Sequence, residues 1–451
     1  MILRNKKNKI ATSIFSLFCC AFTLLLTVKT FTIPLSKKPW TFLVFIAGDN
    51  DLAPFIYKNI TQMSRIGSTQ YLNIVVCLID SYNKQQKYYR IVFVEKNKTS
   101  TVFETTDSQL LDSGSPESLI FFCKKAIESF PADNYGLIFW DHGTGPLDFN
   151  RSAFVRTKNI FKLQNKDEQT IKTFKNILNV SLKKSSQKGI CFDDTTGNSL
   201  SEIKIVYALD IITKNFLQGK KFSLIGCDAC FMGMIEIASL FKYYADIMVA
   251  SEQSEPGAGW NYERVLAPFL FNTISKEIFG THIVNSYKKT YSFYDDHTLS
   301  CINLSLIFAL EDSIKKISIL LQKALEQEIN QSVLKTLSLS KNKNYCTSFD
   351  EPSFIDLYHF YENLLKNLNT LSLNNKKDEQ VIKKNLTDAL TQALSLIEKS
   401  VIASTAGKKY TCAKGLAIYF PEYGVHGPYR NNIFSKATDW SNFLTSYIQR
   451  R

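Results

Sequence analysis

The feature that most constrains the fold is a series of short apolar runs, several of which stop at a small or acidic residue. An apolar run of this kind is typical of a central strand that is buried on both faces. We predict strands at 40–47, 73–80, 89–95, 135–140, 222–226 and 247–251. A helix is expected between Ser115 and Pro131, because serine caps helix starts and Pro116 fits the first turn. Alternating strands and helices predict an α/β fold with a mostly parallel central sheet.

The pattern changes after about residue 275. Long amphipathic stretches follow at 304–339, 355–371 and 377–401, and then a strand at 416–420 and a helix at 439–448. The length of 451 residues and the 45% hydrophobic composition support a sizeable core. We divide the chain into an N-terminal segment at 1–28, a linker at 29–39, a catalytic domain at 40–275 and a helix-rich C-terminal region at 276–451 that completes the fold.

The N-terminal segment has the pattern of an export signal. Four basic residues lie within the first nine positions, and an uncharged, mostly apolar stretch of 19 residues follows at 10–28. This stretch is just long enough to span a bilayer, and no Ala-x-Ala cleavage site follows it. We predict an exported protein that is anchored in the membrane at the cell envelope by an uncleaved segment, or secreted after cleavage of a signal peptide.

A histidine and a cysteine follow two of the predicted strands. His142 comes after the strand at 135–140, and Cys230 comes after the strand at 222–226. Because the carboxyl ends of parallel strands meet at one edge of the sheet, these side chains are expected to lie close together. An imidazole that accepts or stabilises the proton of a thiol is the simplest way to make a thiolate nucleophile. We interpret His142 and Cys230 as a catalytic dyad.

Other interpretations of the cysteines stay open. A cysteine in an apolar strand is most often a small buried hydrophobic residue, and we assign Cys77, Cys123, Cys301 and Cys412 to that class. Cys227 and Cys230 also form a Cys-x-x-Cys motif at a strand-to-helix junction, which is typical of dithiol oxidoreductases. That alternative gives no role to His142. No cluster of histidines or cysteines has the spacing of a metal site.

The segment at 151–187 is strongly basic. It holds nine Lys or Arg residues against two acidic residues, a net charge of +7 out of +13 for the whole chain. A lysine-rich segment without a long apolar stripe is most simply a solvated insertion. No nucleic-acid motif accompanies the charge, so we expect polypeptide partners rather than nucleic acid.

Five blocks of sequence resemble the clostripain family of cysteine peptidases. They are Phe-Ile-Ala-Gly-Asp-Asn-Asp-Leu at 45–52, Asp-His-Gly at 141–143, Cys-Asp-Ala-Cys-Phe-Met-Gly-Met-Ile-Glu at 227–236, the glycine-bearing block at 250–262, and Lys-Gly-Leu-Ala-Ile-Tyr-Phe-Pro at 414–421. They occur in the order that the family has. The resemblance implies a caspase-like α/β/α sandwich, shared with legumain and gingipain, and endopeptidase activity after basic residues. The cysteine of the Asp-Ala-Cys motif maps onto Cys230.

The resemblance also implies that the protein is made as a zymogen and cuts itself between the histidine and cysteine blocks. Lys183, Lys184 and Lys188 are the candidate cut sites, since they precede Gly189 and an apparent return to ordered structure. The alternative is that the insertion at 151–187 is only a solvated loop.

Asp228 is the main candidate for substrate recognition. It lies two residues before Cys230, so its side chain is expected on the same face, where a carboxylate would select Arg or Lys. A structural role at the strand-to-helix turn is the alternative. Glu252 and Glu255 are further acidic candidates, and Trp260 is a candidate wall of the pocket. The family commonly has an acidic residue where this chain has Ala258.

Three further expectations concern the mechanism. The backbone N–H groups of Gly143 and Cys230 are the expected oxyanion donors. The stretch at 231–241 has helical spacing, and a helix that begins at the nucleophile would lower the pKa of the Cys230 thiol. No cofactor is required, although the resemblance allows calcium, for which four acidic residues are candidates: Asp49, Asp51, Asp193 and Asp194. The non-catalytic alternative is a weak or inactive peptide-binding scaffold of the same fold.

Overall fold

The main sheet has nine strands among the residues that the computed structural model describes, which are 37–80, 86–146 and 189–451. The strands of the chain are β1 (Lys38–Gly48), β2 (Leu72–Asp80), β3 (Tyr88–Glu95), β4 (Lys98–Thr105), β5 (Ala132–Trp140), β6 (Ile190–Asp193), β7 (Asn198–Leu200), β8 (Phe222–Asp228), β9 (Ala245–Ala250), β10 (Thr298–Asn303), β11 (Phe354–Asp356), β12 (Val401–Ala406) and β13 (Ala417–Tyr419). The strand order in the main sheet is β12-β10-β9-β8-β5-β1-β2-β3-β4.

The centre of this sheet is parallel. Strands β9, β8, β5, β1 and β2 pair in parallel, whereas β3 and β4 at one edge and β10 and β12 at the other are antiparallel. All six predicted strands lie in the main sheet, and the expected α/β fold with a mostly parallel sheet is confirmed. Three strands of this sheet, β4, β10 and β12, were not predicted from the sequence. Two of these come from the C-terminal region, which therefore contributes strands to the same sheet as residues 40–275.

Two apolar layers cover the two faces of the sheet. Along β1, Leu43 and Phe45 belong to one buried cluster, and Val44 and Ile46 belong to the other. Because successive side chains of a strand point to opposite faces, a strand between two helix layers must be apolar throughout. This explains the uninterrupted apolar runs of the sequence, and it gives the α/β/α arrangement.

The helices of the described residues are α1 (Ala53–Ile66), α2 (Pro116–Ser129), α3 (Glu202–Asn215), α4 (Ile235–Phe241), α5 (Tyr262–Leu266), α6 (Lys276–Thr290), α7 (Ile307–Gln327), α8 (Ser332–Ser340), α9 (Leu357–Asn367), α10 (Lys376–Ser400), α11 (Ile433–Thr438) and α12 (Trp440–Arg450). Helices α1, α5 and α6 cover one face of the sheet, and α2, α3, α4 and most C-terminal helices cover the other. Ser115 caps α2 as predicted, with its side chain accepting from Glu117 N.

The long amphipathic pattern at 304–339 is two helices rather than one. Asn330 and Gln331 adopt left-handed backbone conformations, with φ of 51° and 59°, and they separate α7 from α8. The predicted strand at 416–420 is β13. It pairs with β11 in a separate two-stranded sheet, and Ala417 N donates to the carbonyl oxygen of Gly233, close to the site described below.

Two parts of the chain that carried predictions lie outside the described residues. They are the proposed signal or anchor at 1–28 and the basic insertion at 151–187. Within the residues that are described, no helix is both long and apolar enough to cross a membrane. The described residues, all of which lie within 37–451, form one compact unit.

Candidate active site

The site lies where three neighbouring parallel strands end. Strand β1 pairs with β5, and β5 pairs with β8, while β2 lies on the other side of β1. The strands that follow β1 in the chain are thus added first on one side of β1 and then on the other. Such a topological switch point leaves a crevice at the carboxyl ends of the strands. Asp51, His142 and Cys230 follow β1, β5 and β8 respectively.

His142 and Cys230 occupy equivalent positions on adjacent strands. Trp140 of β5 is in register with Asp228 of β8, and each candidate catalytic residue follows its strand by two positions. The pairing continues one residue further, because Asp141 N donates to the carbonyl oxygen of Asp228 at 3.3 Å. A Cβ atom on Gly143 would lie 2.5 Å from the carbonyl oxygen of Cys230, so only glycine fits there. The imidazole and the thiol are thus presented at one edge of the sheet.

The imidazole of His142 is held by a carboxylate. Its Nε2 lies 2.6 Å from Oδ1 of Asp51, and the ring stands edge-on to Phe192. With Nε2 engaged by Asp51, Nδ1 is the nitrogen left to act on the thiol.

The turn that carries Asp51 is tied to the turn that carries His142. Asn50 Nδ2 donates to Oδ1 of Asp141 at 2.7 Å and to the carbonyl oxygen of Phe192 at 3.1 Å. Phe192 N in turn donates to Oδ2 of Asp141. Burial raises the pKa of Asp141 well above its usual range, although these donors oppose the shift. The network fixes the position of His142 relative to β1.

The Cys230 thiol is half-buried and has a raised pKa. Its Sγ accepts a hydrogen bond from Glu255 N at 3.2 Å. Burial raises the pKa of Cys230 to about 11, and the nearby carboxyl groups of Glu255 and Asp228 add to the shift. The resting group is therefore a neutral thiol at pH 7.

The expectation of a helix that begins at the nucleophile is wrong. Helix α4 begins only at Ile235, and Phe231 has a left-handed backbone with φ of 59°. The intervening segment runs beside the residues that follow β9, with Gly233 N donating to the carbonyl oxygen of Ser251 at 2.6 Å. The helix therefore begins five residues after Cys230 and not at the nucleophile position.

Asp228 lies buried at the end of β8. Its two carboxylate oxygens accept from Trp260 N at 3.1 Å each, and Oδ2 also accepts from the Tyr262 hydroxyl at 2.7 Å. A Cβ atom on Gly259 would lie 2.6 Å from Oδ1, so glycine allows the loop to approach the carboxylate. Burial raises the pKa of Asp228 to about 6, against the lowering effect of these donors.

A second carboxyl group, that of Glu255, adjoins Asp228. Both Glu255 oxygens are buried, and neither makes a hydrogen bond of good geometry with a described donor, although Asp228, Trp260 Nε1 and Ala229 N are all near. Burial, together with the charge of Asp228, raises the pKa of Glu255 well above its usual range. Because two buried carboxylates side by side repel each other, the pair shares one proton and carries a single negative charge near neutral pH.

Two tyrosines of the α6 region complete the surroundings of this pair. The hydroxyl of Tyr287 is buried without a described hydrogen-bond partner, and burial raises its pKa, with the carboxyl group of Glu255 as a further cause. The Tyr291 hydroxyl donates to the carbonyl oxygen of Gly259 at 2.6 Å. Trp260 contributes its backbone N–H to Asp228, while its ring is buried in the core beside Gly226.

Glu252 and Cys227, the other residues singled out in this region, face elsewhere. The Glu252 carboxyl accepts from Gly415 N at 3.0 Å and contacts the buried carboxyl of Asp356, so it joins the C-terminal part of the chain to the end of β9. Cys227 is fully buried in the core cluster of the opposite face, and burial raises its pKa well above the usual range. Cys227 and Cys230 are both free cysteines, and neither is in a disulfide.

The comparison with known proteins decides the family. The model of the clostripain family, peptidase C11, matches residues 44–184 and 179–447. The chain belongs to the clostripain family. This confirms the resemblance found in the sequence, and it makes the chain a member of a family of cysteine endopeptidases. A curated relative, the clostripain of Hathewaya histolytica, is 23% identical over 249 residues, which are 50% of this chain and 41% of the relative. The chain thus spans about two fifths of that relative.

Solved structures of the clostripain family share the fold. A secreted C11 cysteine protease from Bacteroides thetaiotaomicron, in complex with an irreversible peptide inhibitor, has a TM-score of 0.60 at 18% identity, over 90% of this chain and 99% of its own. An inactive zymogen of a C11 protease from Parabacteroides distasonis has a TM-score of 0.55 at 17% identity, over 89% and 99% respectively. These likenesses confirm the caspase-like α/β/α architecture.

Several residues of the clostripain-like site could not be found from the sequence. Asp51 was a candidate only for calcium, and nothing in its neighbours indicates a partner 91 residues away. Tyr287 and Tyr291 lie on the predicted C-terminal region, 57 or more residues after Cys230. The spacing of four along a helix, which places both tyrosines on one face, is the one signal that could have paired them.

Proposed function

We propose that the chain is a cysteine endopeptidase that cleaves peptide bonds after Arg and Lys. The observation that carries the proposal is a buried acidic pair, Asp228 and Glu255, directly beside a Cys230 that shares a sheet edge with His142. One buried negative charge without a described cation is matched best by the basic side chain of a substrate.

The reaction uses the dyad in two steps. His142 Nδ1 takes the proton from Cys230 Sγ as the sulfur attacks the scissile carbonyl carbon, and the imidazolium then protonates the leaving amine. Water, deprotonated by His142, attacks the thioester carbonyl carbon; the C–S bond breaks, the acid product leaves, and the imidazolium returns its proton to Cys230 Sγ. The backbone N–H groups of Gly143 and Cys230 are proposed to stabilise the oxyanion, a contribution of roughly 3 kcal/mol per donor.

The proposed preference for Arg and Lys rests on the negative charge of Asp228 and on its buried position. Asp228 is held by donors from the loop at 259–262, so its carboxylate keeps its place when the pocket is filled. Glu255 is proposed to replace the acidic residue that the family commonly has at the position of Ala258. Trp260 supports this wall through its backbone, and Glu252 supports it indirectly by fixing the strand end that precedes the loop.

The test is labelling by a peptidyl-Arg or peptidyl-Lys acyloxymethyl ketone. We expect wild type and Cys227→Ala to be labelled and to hydrolyse Arg and Lys substrates, and Cys230→Ala to do neither. A wild type that binds such peptides without labelling would indicate an inactive scaffold. Equal loss in both variants, with disulfide reductase activity in the wild type, would favour a dithiol oxidoreductase.

Export belongs to the same proposal. The pattern at 1–28 supports it, and the Bacteroides thetaiotaomicron relative is described as secreted. The polypeptide substrates would then be met at the cell envelope or outside the cell, with the protein either anchored through the N-terminal apolar segment or released. Fractionation of cells that express the full chain, with N-terminal sequencing, distinguishes the two.

A further inference from the structure

Two of the acidic residues considered for calcium meet around a lysine. The ammonium group of Lys87 lies between Oδ2 of Asp49, at 2.6 Å, and Oδ2 of Asp193, and its side chain is only 10% exposed. Asp49 follows β1, Lys87 precedes β3 and Asp193 ends β6. One cation of the chain thus joins three separate segments.

The remaining bonds of these carboxylates are also made by protein donors. Oδ2 of Asp193 accepts from the backbone N–H of Ser113 at 2.9 Å and from its hydroxyl at 3.1 Å, and Oδ1 accepts from Thr196 N at 3.0 Å. Oδ2 of Asp49 also accepts from Thr195 N at 3.3 Å. Oδ2 of Asp49 and both oxygens of Asp193 therefore face hydrogen-bond donors.

This donor set does not fit calcium. Calcium takes six to eight oxygen ligands at about 2.3–2.6 Å, whereas here an ammonium and several N–H groups surround the carboxylates. Of the other two candidates, Asp51 contacts His142 through its carboxylate, whereas Asp194 is joined to this cluster through its backbone N–H, which donates to the carbonyl oxygen of Asp49. Within the described ranges, no group of three or more His, Cys, Asp or Glu side chains could hold a metal ion.

We propose that Lys87 is the built-in counter-cation of this acidic cluster, and that it holds the edge of the active site together without calcium. The cluster fixes the end of β1, and the next two residues, Asn50 and Asp51, bind Asp141 and His142. It also fixes β6, which follows the basic insertion. The catalytic edge is therefore positioned by an ion pair that is encoded in the chain.

The experiment measures melting temperature on the full chain in EGTA and in calcium chloride, so its outcome does not depend on the proposed peptidase activity. We expect the wild-type melting temperature to stay within about 1 °C between the two conditions. Lys87→Met should lower it by at least about 3 °C, since it leaves two buried carboxylates without a counter-charge. Lys98→Met is the matched control, because Lys98 makes only an exposed ion pair with Glu95 at 3.3 Å.

Two results would overturn the proposal. One is a wild type that calcium stabilises in a saturable manner, with the effect abolished by Asp193→Asn. The other is a Lys87→Met protein that is as stable as Lys98→Met. If Lys87→Met does not fold, the calcium titration of the wild type still decides the question.

Discussion

Oδ1 of Asp51 lies 2.6 Å from Nε2 of His142, although the two residues are 91 positions apart in the chain. The contact sets the orientation of the imidazole in this member of the clostripain family, because Nε2 is engaged and Nδ1 is directed to the other side of the ring. It adds a positioning carboxylate to the proposed dyad. The Asp51 side chain is largely exposed, so its main effect is to orient the imidazole of His142 rather than to place a strong buried charge beside it.

Removal of this carboxylate should slow the chemical step. We expect Asp51→Ala to lower kcat by at least roughly tenfold, about 1.4 kcal/mol, with little change in KM, and Asp51→Asn to retain part of the activity by hydrogen bonding. Steady-state kinetics on an Arg substrate provide the measurement. Asp133→Ala is the control, since Asp133 pairs only with Lys37 on the surface. An unchanged kcat in Asp51→Ala would contradict the positioning role.

The charge of Asp228 should control the preference for basic residues. Asp228→Asn is expected to lower kcat/KM for Arg and Lys substrates by at least roughly tenfold with little change in melting temperature. An equal loss on neutral substrates would instead indicate a structural role at the turn.

The same preference should depend on pH. Burial raises the pKa of Asp228 to about 6, so its carboxylate is charged above pH 6 and protonated below it. We expect the ratio of kcat/KM for basic over neutral substrates to fall as pH drops through 6, because the attraction for the substrate cation is lost. The ratio measured for Asp228→Asn should not follow pH in this range. A flat wild-type ratio would argue against Asp228 as the charged group.

The reactivity of Cys230 should show a neutral resting thiol. With a pKa of about 11, about one thiol in ten thousand is ionised at pH 7. We therefore expect iodoacetamide to alkylate Cys230 slowly at pH 7, with a rate that rises about tenfold per pH unit up to pH 10. Site-resolved mass spectrometry measures this against Cys412, which is exposed and not buried as the sequence predicted. Fast alkylation that does not change with pH would show a preformed thiolate.

Self-cleavage should occur in the basic insertion. Gly189, the first described residue after the insertion, donates through its N–H to the Thr144 hydroxyl at 2.8 Å and accepts from Thr144 N. Thr144 is two residues after His142, so Gly189 lies close to the candidate site. Lys183, Lys184 and Lys188, the candidate cut sites, lie outside the described residues. We expect purified wild type to become two chains.

The two chains should stay associated, because β1–β5 before the insertion and β8, β9, β10 and β12 after it share one sheet. Cys230→Ala should remain a single chain on a denaturing gel. An active wild type that is never cut at 151–188 would show that the insertion is only a solvated loop.

The sequence by itself determined the parts of the protein that depend on local pattern. Strands buried on both faces must be apolar throughout, so β1, β2, β5, β8 and β9 could be read directly. Strands such as β4, whose side chains are largely exposed, carry no such signal and were missed. The family blocks and the sheet edge of His142 and Cys230 also followed from local motifs and from the rule for parallel strands.

Only the tertiary structure decided which charged groups meet. Asp51 pairs with His142, Glu255 adjoins Asp228, and Lys87 bridges Asp49 and Asp193, all across wide sequence separations. The position of α4 was decided in the same way, because contacts with the residues after β9 displace its start from Cys230. Charge pairing and pKa depend on burial and on neighbours brought together by the packed sheet, which no local pattern encodes.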